Sequence, residues 1–382
     1  MNNSMNSKYF AGQGAPGEIG RKVTEGDLND PRFYVAPTGL VAAVNVALEL
    51  GMPLLLTGEP GCGKSQLAHS VAWEFDWGKP LTFTVKSDTQ GRDLFYSYDT
   101  LGRFHSANIE NQPDDPYRFL HLNAMGKAIW RALGAEQIIK DDEKLKACTK
   151  QVAFNSPQSV VLIDEIDKAP REVPNDILNE INEYGFEIPE LPLHPKFSLK
   201  ENPQDQSESK QMVKPFVIIT SNGERELPEA FLRRCVYYHL ELPPFRNESK
   251  KDKKIGDITN EPRKDNKADN VTIEDIIKIR LGVDISPSED NKANNQKNVW
   301  SAGVSFFAHL RKQRLQKSPS TAELLSWLWL LHNRHNQTKN LHQTTVKDIE
   351  DFLPSALVTL FKHMEDQKRA VTLFEKWLAS NR

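Results

Sequence analysis

Residues 54–65 read Leu-Leu-Leu-Thr-Gly-Glu-Pro-Gly-Cys-Gly-Lys-Ser, and this stretch decides the fold. Its first residues form an apolar run of the kind that builds a strand buried on both faces of a sheet. Gly58–Ser65 then fits the spacing GxxxxGK followed by Ser or Thr, and helical apolar periodicity comes after it. A strand, a glycine-rich loop and a helix in this order predict a loop that binds phosphate groups.

The chemistry of phosphate binding accounts for the residue types in this loop. Glycines let backbone N–H groups and the positive end of the helix approach phosphate oxygens closely. The Lys64 ammonium would reach the β- and γ-phosphates, and the Ser65 hydroxyl would bind Mg²⁺. Cys62 is interpreted as a small loop residue, with a redox role as the alternative. The residues predicted to contact a nucleoside triphosphate are Gly58, Glu59, Pro60, Gly61, Cys62, Gly63, Lys64, Ser65 and Gln66.

A second apolar run, Val160–Ile163, leads directly into Asp164 and Glu165. Carboxylates are costly in a sheet core, so two of them at the carboxyl end of a strand indicate a cation or polar ligand there. Successive strand residues point apart, so Asp164 can face Mg²⁺ while Glu165 orients or deprotonates a water beside the γ-phosphate. The pair favours hydrolysis over transfer to a small molecule, because a kinase would have to exclude water.

A third apolar run, Phe216–Thr220, is followed closely by Asn222. By the same placement at a strand end, Asn222 is predicted to hold the attacking water or the γ-phosphate, although an isolated Ser-Asn pair would favour a turn. Arg233 and Arg234 follow in a segment that Pro228 begins as a helix. Taken alone, two adjacent arginines on a helix indicate a solvated face.

Composition limits the classes of function. The 49 Lys+Arg and 52 Asp+Glu leave a net charge of -3, which provides no global field to attract nucleic acid. The three cysteines form no CxxC pair, so neither a disulfide framework nor a thiolate zinc site is expected. No signal-peptide core is present, and no stretch approaches the length of apolar sequence that spans a membrane. We therefore expect a cytoplasmic protein without a membrane partner.

The apolar pattern divides the chain at a charged segment. Five short runs predict a parallel five-stranded sheet flanked by helices: Pro53–Thr57, Leu81–Val85, Val160–Ile163, Phe216–Thr220 and Val236–Leu240. Beyond the charged segment the patterning is helical only. The predicted divisions are a flexible N-terminal segment over 1–36, an α/β nucleotide-binding domain over 37–245, a charged linker over 246–270 and a small all-α domain over 271–382.

Taken together, the motifs resemble those of an AAA+ ATPase, and they are similar to the MoxR-like branch of that superfamily. The resemblance rests on four motifs that follow in this order: Gly58–Ser65, Asp164-Glu165, Asn222 and Leu227–Arg234. It spans roughly residues 35 to 245. Features typical of the branch are Asp164–Pro170, the helical pattern Pro174–Tyr184, Phe186–Glu190 and Ser221–Pro228. A hairpin inserted in the second helix is also typical, and about 93–105 is interpreted as that hairpin, with its turn at Leu101-Gly102.

The resemblance implies a ring of this chain, usually of six subunits, with ATP and Mg²⁺ bound between neighbours. Arg234 matches the arginine that completes the next subunit's site, and Arg233 is the nearby alternative. The helical domain would be a lid, which in many relatives carries a sensor arginine. Lys317–Ala322 lacks that arginine, and Arg311, Arg314 or Lys317 are the candidates to replace it.

The function implied by the resemblance is remodelling, activation or cofactor loading of a partner protein, often one with a von Willebrand A domain. A second hypothesis is an ATP-dependent motor subunit acting on nucleic acid in a restriction or phage-defence system, since Arg92, Arg103 and His105 lie near aromatic residues. A third is a nucleotide-gated scaffold with little turnover. The preference for adenine over guanine is likewise implied only by the resemblance.

Overall fold

A computed structural model of the chain describes residues 9–14, 24–108, 115–141, 143–199, 213–246, 271–283, 285, 299–336 and 357–381. The chain divides into two compact units. The first contains Met1–Gly12, Gly39–Gly58 and Lys64–Leu240, and the second contains Gln13–Thr38, Glu59–Gly63 and Glu241–Arg382. Apart from Arg246, the predicted charged linker over 246–270 lies outside the described residues.

The first unit is built on a sheet of five parallel strands. In chain order the strands of the protein are β1 (Leu54–Thr57), β2 (Leu81–Thr84), β3 (Tyr96–Tyr98), β4 (Leu120–Leu122), β5 (Val160–Asp164), β6 (Gly185–Glu187), β7 (Lys196–Ser198), β8 (Phe216–Ser221) and β9 (Val236–His239). The main sheet has the order β2-β5-β8-β1-β9, and all its described pairings are parallel. The predicted fold class is confirmed.

Register places the predicted site residues at one edge of this sheet. Ile163 of β5 pairs with Ile219 of β8, and Thr57 of β1 pairs with Ser221 of β8. Because the strands are parallel, their carboxyl ends meet at the same edge. The central strands are apolar and buried along their length, as expected for a sheet covered on both faces.

Helices cover the sheet in the first unit, and the regular elements described in the second unit are all helical. The helices are α1 (Thr38–Leu50), α2 (Lys64–Glu74), α3 (Thr100–Asn108), α4 (Ala124–Leu133), α5 (Ala135–Asp141), α6 (Val173–Glu183), α7 (Glu229–Leu232), α8 (Ile273–Leu281), α9 (Val299–Arg311), α10 (Thr321–Asn336) and α11 (Met364–Asn381). In the first unit, Trp130 of α4 is fully buried and meets Phe197 edge-on, with ring centroids 5.2 Å apart. None of the helices in the described ranges is long and apolar enough to cross a membrane.

The predicted hairpin over 93–105 is wrong in its pairing. β3 does not pair within that range but with β4, where Tyr96 lies opposite Leu122. The expected turn at Leu101-Gly102 is the first turn of α3, because the Asp99 carboxylate accepts a hydrogen bond of 2.8 Å from the Gly102 N–H. A side chain that caps a helix N-terminus stabilises the helix over a turn. The inserted element is therefore a strand pair that encloses a helix.

The described parts of the predicted N-terminal segment, residues 9–14 and 24–36, contain buried side chains. In the first unit, Phe10 is buried, and its backbone N–H and C=O both bond the Asn45 side chain, at 2.7 and 3.0 Å. In the second unit, Phe33 and Tyr34 are buried. Their aromatic side chains supply the apolar area that holds these segments in place.

The second unit has its own apolar core, built from the predicted helical domain. Its largest fully buried side chains include Trp327, Phe306, Phe307 and Phe361. The unit also includes the middle of the glycine-rich loop, and there a Cβ on Gly61 would collide with the Ser320 side chain just before α10. Glycine at position 61 is thus required by close approach as well as by its φ of 80°.

Glu180, half-buried on α6, generates a prediction about pH. Burial raises the pKa of its carboxyl group, and the nearby Asp176 and Asp93 carboxylates raise it further. A raised pKa means that the protonated form stabilises the fold, and that this contribution is lost as pH rises through the folded-state pKa. We expect Glu180→Gln to have a higher melting temperature than the wild type at pH 7.5, with the difference shrinking toward pH 4. A difference that grows on acidification, measured by thermal unfolding, would contradict this.

Candidate active site

The glycine-rich loop is shaped by three glycines in conformations that other residues rarely adopt. Gly58, Gly61 and Gly63 have φ values of 147°, 80° and 103°. The loop leads into α2, and the buried Lys64 side chain turns back so that Nζ donates to the Gly58 carbonyl at 2.7 Å. The backbone can therefore surround a phosphate group with a cation held at the same place.

Ser65 and Asp164 are 99 positions apart in the chain, and the structure brings them into contact. The Ser65 Oγ donates to Asp164 Oδ1 at 2.8 Å. The same Oδ1 accepts a second hydrogen bond, of 2.5 Å, from the hydroxyl of Thr220 at the end of β8. The first turn of α2, the end of β5 and the end of β8 are thus joined at one carboxylate oxygen.

Glu165 follows Asp164 with a left-handed backbone, φ 62° and ψ 49°, which turns the chain away from the strand. Its N–H donates to Thr220 Oγ1 at 3.0 Å, so the Thr220 hydroxyl bonds both acidic residues. The Glu165 carboxylate has two donors beside it, Lys168 Nζ at 2.5 Å from Oε2 and Asn222 Nδ2 at 3.5 Å from Oε1. A residue in the left-handed region is strained unless its surroundings hold it there.

Asn222 is positioned through its backbone by Asp167. The Asp167 carboxylate oxygen Oδ2 accepts from the N–H groups of Asn222 and Glu224, at 3.1 and 2.9 Å. Asp167 itself is buried, and among the described residues its other oxygen, Oδ1, has no hydrogen-bond partner. The short helical turn after β5 therefore fixes the loop after β8.

The oxygen atoms at this sheet edge fit Mg²⁺ as the magnesium of a bound triphosphate. A serine hydroxyl and a carboxylate are hard oxygen ligands, and Mg²⁺ takes one or two such groups from protein and the remainder from phosphates and water. The described residues contain no group of three or more His, Cys, Asp or Glu that could hold a metal by themselves. Ser65 and Asp164 suit an ion that arrives with its phosphate ligands.

His69 lies on α2 one turn beyond Ser65, on the same face of the helix. Burial lowers the pKa of its imidazole, an effect that the negative charge of Asp164 opposes and the positive charge of Lys79 reinforces. The ring is therefore mostly neutral at pH 7, and it adds no full positive charge near Asp164.

The predicted arginine is an exposed residue of the first unit. Arg234 is exposed just after α7, and the contacts among Ser65, Asp164, Glu165 and Asn222 are made without it. The alternative, Arg233, pairs with Glu229 one turn earlier. Of the three candidates to replace a sensor arginine, Arg311 donates to the Pro243 carbonyl and lies over the rings of Phe245 and Phe307, all within the second unit.

Three residues of the network were not identified from the sequence: Thr220, Asp167 and Lys168. Asp167 carries a usable signal, because an acidic residue in a turn directly after a buried strand needs a partner. Thr220 carries a weaker one, since a threonine that ends a strand is common and gains meaning only from its neighbour across the sheet. Lys168 gives none, because a lysine near two acidic residues is ordinary.

The parallel sheet carries a glycine-rich loop after β1 and an Asp-Glu pair at the end of β5, two positions away in the sheet. This combination defines a P-loop nucleotide-hydrolysing domain. Residues 54–243 match the family described as "ATPase family associated with various cellular activities (AAA)". This stretch is therefore an ATPase domain of the AAA family, and the protein is an ATPase.

The chain was also compared with solved structures and with curated proteins. Among solved structures, the chain is similar to the Thermotoga maritima RuvB Holliday junction branch migration motor, with 13% sequence identity and a TM-score of 0.36. That alignment covers 88% of this chain and 68% of the other. The likeness is too low for any function to be inferred from it. A search of the curated proteins finds no match.

The double role of Thr220 can be tested with an isosteric variant. Thr220→Val removes a hydroxyl that bonds both Asp164 and the Glu165 N–H, and leaving buried partners unpaired costs about 1–3 kcal/mol. We expect a lower melting temperature and ATP turnover reduced about 10- to 100-fold, because small displacements of reacting groups are costly. Thr82→Val, on the exposed face of β2, is the control and should leave both unchanged. Wild-type turnover in Thr220→Val would show that the bridge is dispensable.

Proposed function

We propose that this protein hydrolyses ATP as a ring and uses the energy to remodel, activate or load a partner protein, as MoxR-like proteins do. The observation that supports hydrolysis most directly is the hydrogen-bonded series from Ser65 through Asp164 and Thr220 to Glu165. These hydrogen bonds connect the proposed phosphate-binding residue Ser65 with the proposed base Glu165, which supports a single site for both. The choice of partner rests on the resemblance to the family.

In this proposal the phosphate-binding residues are Gly58 to Gln66. The loop N–H groups and Lys64 bind the phosphate oxygens and offset their charge. Ser65 and Asp164 would hold Mg²⁺, which when bound neutralises charge on the β- and γ-phosphates. The protein's own residues would contribute orientation and electrostatic stabilisation.

The proposed catalytic residues are Glu165, Asn222 and Arg234. Glu165 would orient a water toward the γ-phosphate and take its proton, and Asn222, whose amide lies beside that carboxylate, would hold the same water or a phosphate oxygen. Arg234 is exposed just after α7, and we propose that it acts on the nucleotide of a neighbouring copy. It would stabilise the charge that develops on the transferred phosphoryl group.

The role of Glu165 is tested by an isosteric change. Glu165→Gln removes the base but keeps the shape of the side chain, so we expect ATP binding to be retained and turnover to fall at least about 100-fold. Phosphate release and titration calorimetry give the two quantities. Glu172→Gln, exposed beside α6, is the matched control. If Glu165→Gln turns over at the wild-type rate, Glu165 is not the base.

The proposal that Arg234 acts on a neighbour predicts that two inactive variants rescue each other. In an equal mixture of Glu165→Gln and Arg234→Ala, about a quarter of the ring interfaces join an intact Glu165 to an intact Arg234, since each half occurs with probability one half. We expect phosphate release by the mixture to recover toward about a quarter of the wild-type rate, while either variant alone stays inactive. Arg233→Ala should remain active alone. No recovery in a mixture shown to co-assemble would rule out an arginine supplied by the neighbour.

A further inference from the structure

Lys168 forms an ion pair with the proposed base, Glu165. Its Nζ lies 2.5 Å from Glu165 Oε2, within hydrogen-bonding distance and at i,i+3 spacing. Both side chains are partly open to solvent, with 42% of Lys168 and 30% of Glu165 exposed. Solvent water can therefore reach the Glu165 carboxylate.

The rest of Glu165 is already fixed by other contacts. Its left-handed backbone is held through the N–H bond to Thr220, and the Asn222 amide lies beside the second carboxylate oxygen. The Asn222 contact is long, at 3.5 Å, so these contacts restrain the side-chain torsions of the flexible glutamate only weakly. A cation at Oε2 limits those torsions and leaves the remaining lone pairs of the carboxylate for a water.

We propose that Lys168 is a positioning residue for ATP hydrolysis, which holds the Glu165 carboxylate in the orientation needed to accept a proton from water. The inference rests on the proposed role of Glu165. It assigns to the turn after β5 two tasks, since Asp167 of the same turn holds the Asn222 loop. Both groups proposed to act on the water are then oriented by neighbouring residues.

The energetics distinguish positioning from a stabilising role. A solvent-exposed ion pair contributes little to stability, so the fold does not depend on it. The hydrogen bond to Glu165 is the largest cause that raises the pKa of Lys168, with Glu224 and Asp167 as further acidic neighbours. Lys168 therefore stays charged throughout the pH range of an ATPase assay.

The test compares Lys168→Met with Lys168→Arg in the full chain. We expect Lys168→Met to lower kcat about 10- to 30-fold while KM, the Kd for a nonhydrolysable ATP analogue and the melting temperature stay close to wild type. Lys168→Arg, which keeps a donor and a charge, should recover most of the activity. Lys196→Met, which breaks an ion pair between Lys196 of β7 and Glu187 of β6, is the matched control and should be unaffected.

A double variant separates this inference from the proposed function. If Lys168 acts through Glu165, adding Lys168→Met to Glu165→Gln lowers kcat no further. The positioning role is overturned if kcat in Lys168→Met is unchanged or raised. It is also overturned if Lys168→Arg loses as much kcat as Lys168→Met does. In both cases the assignment of Glu165 as base stands. Wild-type turnover in Glu165→Gln alone would instead overturn the base assignment, and the inference with it.

Discussion

The carboxylate of Asp164 is the group on which the site depends. One of its oxygens accepts hydrogen bonds from Ser65 and Thr220, and Thr220 in turn accepts from the Glu165 backbone. A charged group at the end of a buried strand is tolerated only when donors or a cation surround it. Here the donors come from the phosphate-binding helix and from the neighbouring strand. The carboxylate therefore joins the part that holds phosphate to the part proposed to act on water.

Sheet order explains how this junction forms. β8 lies between β5 and β1, so the strand that precedes the phosphate loop and the strand that ends in the acidic pair flank the same neighbour. The pairing of Ile163 with Ile219 places Asp164 beside Thr220 at the carboxyl edge. Shifting this register by one residue would direct the Thr220 side chain to the other face of the sheet. Apolar packing along β5 and β8 thus fixes the register, and the register places the polar groups.

Much of this was predictable from sequence because apolar runs and the glycine-rich loop are local signals. The five strands, and the meeting of Ser65 with Asp164, follow from strand type and from the rule that parallel strands end together. The roles of Thr220, Asp167 and Lys168 needed the register and the turn conformation, which no local pattern encodes. The hairpin prediction failed for a local reason, since Asp99 caps α3 and converts the expected turn into a helix.

The central claim is that Ser65 and Asp164 share one magnesium-bound triphosphate. Titration calorimetry of the full chain with ATP, in Mg²⁺ and in EDTA, on the wild type and on Asp164→Asn, tests it most directly. The account predicts that Mg²⁺ strengthens ATP binding by the wild type, and that Asp164→Asn still binds ATP but loses most of the Mg²⁺ dependence. No binding heat with wild-type protein, or an unchanged Mg²⁺ dependence in Asp164→Asn, would contradict it.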